Sequence, residues 1–555
     1  MRGSSTMVTG LRKRRPWRAT ILVAAVFAAL AAAFTSTTAT AQSGSSASAS
    51  SSASASSSAP GGAKNVILFI GDGMGDSEIT IARNYHLGAA GEFAMDTLPM
   101  TGAYTTYSVQ EDDPSTPDYV PDSAATGTAW ATGSKTSNNR VSTTAKTDED
   151  LRTILELAQE DGRSTGNVST AELTDATPAV LNSHVTHRDC KGPEDMDELC
   201  PQDKKSEGGP GSIAEQTVDH GVDVLLGGAR SSFEQTIDAG PDRGRTVVES
   251  AERQGYEVVY DADAMRSARS GSKLLGLFAE ENMDLLYSGK PAEANHNFEA
   301  QTCEEGQLPP EQPDLASMTT KAIEMLEGNE RGFFLQVESA SIDKEDHISN
   351  PCEQIGETVN LDNAVAAGLE YAEANPDTLV VVTGDHGHTS QIIPSPESGY
   401  FDEGYEYDVP GEAATLNTAD GTTMTVSYAT NTFRDENGDI IEGEDSEDSH
   451  THTGTQIRIA ARGPGSEDVL GLTDQTDLFD TMATSMGLDA RTRASVSAPA
   501  SASATTSASA SAEAQRVPDT GGPPVAPWLL ALAAALGGLG LFVSRRVLRG
   551  PGGGE

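Results

Sequence analysis

Three short apolar runs in this 555-residue chain end in residues that can bind metal or carry a proton. Residues 65–70 lead into Gly71-Asp72-Gly73. Residues 332–337 lead into Glu338, with Asp343 five positions on. Residues 378–383 lead into Gly384-Asp385-His386-Gly387-His388. His347 follows Asp343 by four positions, one helical turn, so both can face one ion. Another histidine region is Ser449-His450-Thr451-His452-Thr453-Gly454. Carboxylates and imidazoles brought together repel unless a positive charge holds them. A divalent cation does so: mixed Asp/His sets suit zinc, and Asp/Glu/Thr oxygen sets suit magnesium. Singly these signals are weak, since Asp-Gly marks a turn and a lone histidine is usually a surface residue. Several acids at the ends of apolar runs, with histidines nearby, carry more weight.

A different signal is the stretch 120–130, Val-Pro-Asp-Ser-Ala-Ala-Thr-Gly-Thr-Ala-Trp. Asp122-Ser123 opening a run of small residues reads as a helix start. Ser123 then has two compatible roles. It can cap the helix, worth about 1 kcal/mol, or it can be a nucleophile where free N–H groups attract an anion. Arg188, in His184-Val185-Thr186-His187-Arg188, has a planar fork that fits two phosphoryl oxygens, although alone it reads as a surface charge.

These residues need elements to position them. The β-branched runs read as buried strands, and helical patterns lie between them at 148–158, 317–326 and 361–374. Alternating strands and helices predict an α/β fold with a large, mostly parallel central sheet covered by helices on both faces. Sites in such sheets lie at the carboxyl ends of the strands, so Asp72, Glu338, Asp343, Asp385 and His386 are expected to converge there. The body, residues 64–490, is long enough for one large domain with insertions.

The ends are not globular. Residues 1–41 carry a basic stretch, an apolar run and Ala39-Thr40-Ala41, the pattern of a cleavable export signal. Arg14-Arg15 leaves twin-arginine and general export both open, and a membrane anchor is the alternative reading. Residues 42–63 and 491–516 are Ser/Ala-rich linkers. Residues 517–555 hold Val517-Pro518-Asp519-Thr520-Gly521, an apolar segment and Arg545-Arg546. That order resembles the sorting signal of Gram-positive wall proteins, with Val in place of the usual Leu; a plain transmembrane anchor is the other reading. Either way the body is expected outside the membrane, secreted or tethered to membrane or wall. Lys and Arg number 37 against 83 Asp and Glu, and removing the signal would take the net charge from −46 to −52. Such a surface should repel nucleic acid. Four cysteines, Cys190, Cys200, Cys303 and Cys352, read as two disulfides in an exported chain. Three pairings are open, of which Cys190–Cys200 is the local one.

The chain resembles bacterial alkaline phosphatase over about residues 64–485. The resemblance rests on "ILFIGDGMG" at 67–75, "PDSAATGTAWATG" at 121–133, "STAELTDATPA" at 169–179, "HVTHR" at 184–188, "FFLQVESASIDKEDH" at 333–347, "VVVTGDHGH" at 380–388 and "HTGTQIRIAARGP" at 452–464. It implies hydrolysis of small-molecule phosphate monoesters through a phosphoserine on Ser123, with Arg188 clamping the phosphate. It implies two zinc ions and one magnesium ion per subunit. Asp343, His347 and His452 would hold one zinc, with His388 hydrogen-bonded to a zinc carboxylate. Asp72, Asp385 and His386 would hold the other, beside Ser123. Asp72, Thr177 and Glu338 would hold magnesium, with Asp175 and Lys344 acting through water. Relatives also suggest a homodimer and the pairings Cys190–Cys200 and Cys303–Cys352. Pro121, Thr126 and Gly127 depart from the family pattern and are expected to touch no assigned ligand. A phosphodiesterase of the same superfamily would usually lack the Thr177 and Glu338 set. A sulfatase needs a Cys/Ser-x-Pro-x-Arg context that Ser123 lacks, and a surface adhesin on an inactive fold would have lost ligands.

Overall fold

The computed structural model describes residues 62–489 apart from 295, 307, 396–410 and 431–449. The expected export signal, most of the first linker, the second linker and the C-terminal anchor lie outside the described residues. The packed chain already begins at Ala63, which is 2% exposed and donates its N–H to Ser485 O at 2.6 Å. Among the described residues no helix is long and apolar enough to cross a membrane.

One ten-stranded sheet organises the body. Its strands in chain order are β1 (Asn65–Gly71), β2 (Met100–Thr105), β3 (Ser164–Glu172), β4 (Val224–Gly228), β5 (Tyr256–Val259), β6 (Lys273–Leu277), β7 (Phe333–Ser339), β8 (Thr378–Gly384), β9 (Ile457–Arg462) and β10 (Gly471–Asp474). Across the sheet they run β10-β2-β9-β8-β1-β7-β3-β4-β6-β5. β9 alone is antiparallel to its neighbours β8 and β2, and the other pairings are parallel. The mostly parallel sheet read from the sequence is therefore present.

The three runs of the sequence form its centre, and their residues alternate between two apolar cores. Val66, Leu68 and Ile70 of β1, with Leu379 and Val381 of β8, enter one core. Ile67 and Phe69, with Val380 and Val382, enter the other. Burial on both faces explains why these runs are apolar without a polar alternation. The helices used below are α1 (Ser123–Thr132), α2 (Ile154–Glu160), α3 (Ile213–Asp219), α4 (Ser341–His347) and α5 (Pro351–Ala374).

Two helical expectations need correction. Within 148–158, the helix starts only at Ile154, because Thr153 and Glu156 form a capping box that sets its first turn. The helix expected at 361–374 starts ten residues earlier, at Pro351, since a proline is tolerated in a first turn. The helix expected at 317–326 spans Leu315–Leu326. Both disulfides expected from the resemblance, Cys190–Cys200 and Cys303–Cys352, are formed.

Gly332 enters β7 at φ +95°, and a Cβ there would lie 1.9 Å from Lys64 O. Gly332→Ala is expected to cost at least about 1–3 kcal/mol through backbone strain alone. Calorimetry should show a clear fall in melting temperature, and an unchanged value would mean that the β7 entry can move aside.

Candidate active site

Strand register brings the first acids together. Gly71 pairs with Ser339 on one side and with Gly384 on the other. The chain leaves the sheet at the same level in all three strands, so Asp72, α4 and Asp385 emerge side by side. Gly73 N donates to Asp385 Oδ1 at 2.8 Å. At φ +69°, its missing Cβ would sit 2.9 Å from Asp343 Cα, so only glycine suits this approach. Because β9 runs the other way, its beginning lies at this edge, and His452, five residues before it, arrives at the site.

Two groups of possible ligands form here, and every residue in them was singled out from the sequence, four in the first and three in the second. In the first, Asp343, His347, His388 and His452 bring their ligand atoms within 4.8 Å of one another. His347 Nε2 is 3.1 Å from His452 Nε2, and Asp343 Oδ1 is 3.3 Å from His452 Nε2. His347 Nδ1 donates to His450 O, and His452 Nδ1 donates to Pro121 O at 2.9 Å. A carbonyl can only accept, so each neutral ring keeps its Nε2 lone pair for a cation. His388 differs: its Nδ1 accepts from Thr389 N at 2.9 Å, so the proton sits on Nε2, which faces Asp343 Oδ1 at 3.3 Å. His388 is thus suited to hydrogen-bond the carboxylate rather than to bind metal through Nε2.

The second group is Asp72, Asp385 and His386. Ser123 Oγ lies 3.3 Å from Asp72 Oδ1 and 3.2 Å from His386 Nε2. All four are at most 3% exposed. Beyond Asp72 lie Glu338, whose Oε2 accepts from Ser169 Oγ at 2.6 Å, and Thr177, on the short helix Ala176–Ala179. Thr177 Oγ1 and Asp343 Oδ1 are buried without a well-formed hydrogen bond, as expected of atoms shaped for a cation. Zinc fits the Asp/His sets and magnesium the oxygen set.

The helix start answers the question of Ser123. Asp122, not Ser123, caps α1, its Oδ1 accepting from Ala125 N at 3.0 Å. The serine occupies the first helical position with its hydroxyl turned to the acids. Asp122 Oδ2 also lies 3.4 Å from Arg188 Nη1, and Asp175 Oδ1 accepts from Arg188 Nη2 at 2.8 Å. The other Asp175 oxygen takes Lys344 Nζ at 2.7 Å. Asp175 therefore joins both cations directly.

The expectation that Pro121, Thr126 and Gly127 touch no assigned ligand fails for two of them. Thr126 Oγ1 donates to Asp385 Oδ2 at 3.3 Å, because position 126 lies one turn along α1 from the serine. Pro121 O holds His452, as above. Gln475 and Tyr104 were missed altogether. Gln475 Nε2 donates to Asp385 O at 2.7 Å, and the Tyr104 hydroxyl donates to Gly384 O. They come from distant strands or loops with no local motif, so no spacing could have found them.

Comparison with known proteins gives this site a context. The Alkaline phosphatase family profile matches residues 63–488. Alkaline phosphatase of Escherichia coli is 49% identical over 433 residues, covering 77% of this chain and 86% of that protein. Streptomycin-6-phosphate phosphatase of Streptomyces griseus is 48% identical over 438 residues, covering 77% of this chain and 92% of that protein. Among solved structures, alkaline phosphatase from an Antarctic bacterium superposes with a TM-score of 0.55 at 23% identity, covering 77% of this chain and 99% of that one.

The charge of the site sets its response to pH. Burial pushes Glu338 up to about 8. Burial, followed by Asp385, Asp343 and Glu338, raises Asp72 well above the usual range. Burial and Asp343 push Asp385 up to about 6. Burial holds His386 well below the usual imidazole range and His388 at about 4, so their opposing contributions are half spent at about pH 6.5 and fade over the next unit. From about pH 7 upward, the unfolded chain has released a proton that folded Glu338 still holds, so stability falls as pH rises. A bound cation takes the place of that proton. Chelated protein is therefore expected to melt lower at pH 8 than at about pH 6.5, and zinc with magnesium to raise the melting temperature more at pH 8. A metal-free melting temperature that held or rose over this interval would contradict the charge balance described.

Proposed function

The chain belongs to the alkaline phosphatase family and is a phosphomonoesterase, and on that premise we propose that Ser123 is its nucleophile at a centre of two zinc ions and one magnesium ion. Asp343, His347 and His452 would hold one zinc, Asp72, Asp385 and His386 the other, and Asp72, Thr177 and Glu338 the magnesium. Bound there, the cations supply the positive charge that lowers the pKa of the serine hydroxyl and offsets the phosphoryl oxygens.

The protein's own residues do the rest. Arg188, braced between Asp122 and Asp175, presents its fork to two phosphoryl oxygens. The start of α1 favours the same anion. Ser123 Oγ, which capping does not occupy, attacks phosphorus in line with the ester oxygen. The P–O bond to the alcohol breaks, the alcohol leaves with a proton, and phosphoserine remains. Water then attacks that phosphorus from the opposite side, the P–Oγ bond breaks, and inorganic phosphate and free Ser123 result. The contact of Ser123 Oγ with both Asp72 and His386 carries this reading. Thr177 beside Glu338 favours monoesters over diesters, and so does the name of the Streptomyces relative, streptomycin-6-phosphate phosphatase.

We also propose that residues 1–41 direct export and that residues 517–555 tether residues 64–490 to membrane or wall through the Ser/Ala tracts. The order of charged, apolar and small residues supports this.

Three outcomes are expected. Ser123→Ala should keep the wild-type fold but lose activity on p-nitrophenyl phosphate by on the order of 10³ or more, and the wild type should strongly prefer that ester to its bis-ester. Wild-type turnover by the variant would remove the serine from the mechanism, and preference for the bis-ester would make the enzyme a phosphodiesterase. N-terminal sequencing of cell-associated protein should start after Ala41, while an intact residue 1 in the cytosol would overturn export.

A further inference from the structure

Away from the catalytic edge, among the described residues, a third cluster of possible ligands gathers Glu156, His184 and His220. None of the three belongs to the ligand sets above. Glu156 lies on α2, His220 ends α3, and His184 lies on the segment that leads to Arg188.

The hydrogen bonds of the two rings define the problem. His184 Nδ1 is 2.9 Å from Ser142 O, and His220 Nδ1 is 3.0 Å from Gln216 O. A carbonyl oxygen only accepts, so both rings carry their protons on Nδ1. If the rings are neutral, each Nε2 presents a lone pair. Both face the same oxygen: Glu156 Oε1 lies 3.3 Å from His184 Nε2 and 3.1 Å from His220 Nε2. Two lone pairs and a carboxylate oxygen cannot rest at these distances without something positive among them. Either one or both rings carry a second proton or a cation sits between them.

The geometry favours the cation. Nitrogen and oxygen ligands held about 2.0–2.2 Å from a tetrahedral zinc lie roughly 3.3–3.5 Å apart, close to the separations here. Metal-bound histidines also donate their other N–H to a backbone carbonyl, which fixes the ring. The donors are held before any ion arrives. Glu156 Oε2 is engaged by Thr153 N at 2.8 Å, which aims Oε1 at the rings. Gln216 clamps the His184 backbone from both sides, with its Oε1 2.9 Å from His184 N and its Nε2 3.0 Å from His184 O. Gln159 Nε2 donates to His220 O at 3.1 Å, tying α2 to the end of α3. The His184 ring is buried, while Glu156 and His220 keep 16% and 22% of their side chains exposed, which leaves a path for an ion and room for water.

We propose that Glu156, His184 and His220 form a further metal site, separate from the catalytic centre, for a zinc-type divalent cation with water completing a tetrahedral shell. Its role is to pin α2, α3 and the 184–188 segment together, upstream of Arg188. The proposal does not depend on the catalytic reading of Ser123.

The test is a zinc count. The purified enzyme, with its catalytic activity intact, is equilibrated with a small excess of zinc at neutral pH, freed of unbound metal and analysed by elemental mass spectrometry beside His220→Ala and Glu156→Gln. The wild type is expected to carry one zinc per chain more than either variant, while all three hydrolyse p-nitrophenyl phosphate at similar rates. Glu156→Gln keeps an oxygen for Thr153 N, so it reports on the site even where the alanine variant folds poorly. Equal zinc in wild type and variants would overturn the proposal, as would nitrogen NMR showing either ring doubly protonated in zinc-treated wild type.

Discussion

Asp72, Glu338, Asp343 and Asp385 lie together at one edge of the sheet, each at most 7% exposed. Buried like charges in close contact are among the costliest arrangements a protein can hold. The site balances them in three ways. Three of the acids are driven toward their protonated forms. Asp343, which burial alone would raise, is instead held well below the usual range by His347, His388 and His452. The third is a divalent cation, which the two Asp/His groups suit. The same crowding that destabilises the bare protein is the source of its affinity for metal.

Such a site depends on a scaffold that cannot relax. The acids sit at the ends of strands whose side chains enter apolar cores on both faces, so the backbone that carries them has little freedom. Hydrogen bonds then fix each group in turn: Gly73 N and Thr126 on Asp385, Ser169 on Glu338, Pro121 O on His452. Arg188 is held likewise, between two carboxylates, one of which caps the helix that carries Ser123. Arg188 and the helix that carries Ser123 therefore share a supporting residue, Asp122.

Ring tautomers distinguish the histidines of this protein. His347, His452, His184 and His220 all place Nδ1 against a backbone carbonyl and turn Nε2 to a carboxylate. His388 has the opposite arrangement, with Nδ1 accepting from a backbone N–H. The backbone group beside each ring, and not the histidine itself, decides whether it can bind a cation through Nε2 or must donate a proton.

Much of this was legible in the chain. The apolar runs, the helices between them and the acids at the run ends are local patterns, and they were enough to expect a mostly parallel α/β sheet with a site at its carboxyl edge. Motifs such as "PDSAATGTAWATG" and "VVVTGDHGH" added the family and the candidate ligands one by one. Cap assignment failed at Ser123 because Asp and Ser both cap well and adjacent positions differ only in backbone angle. Tertiary structure alone decided the rest. The reversal of β9 brings His452 to the site, Thr126 reaches Asp385 across 259 residues, and Gln475 and Tyr104 support it from distant strands or loops. The Glu156, His184 and His220 cluster likewise joins three separate segments. Strand periodicity and local motifs are written in neighbouring residues. Contacts between segments far apart in the chain depend on how the sheet and the cores place those segments in space.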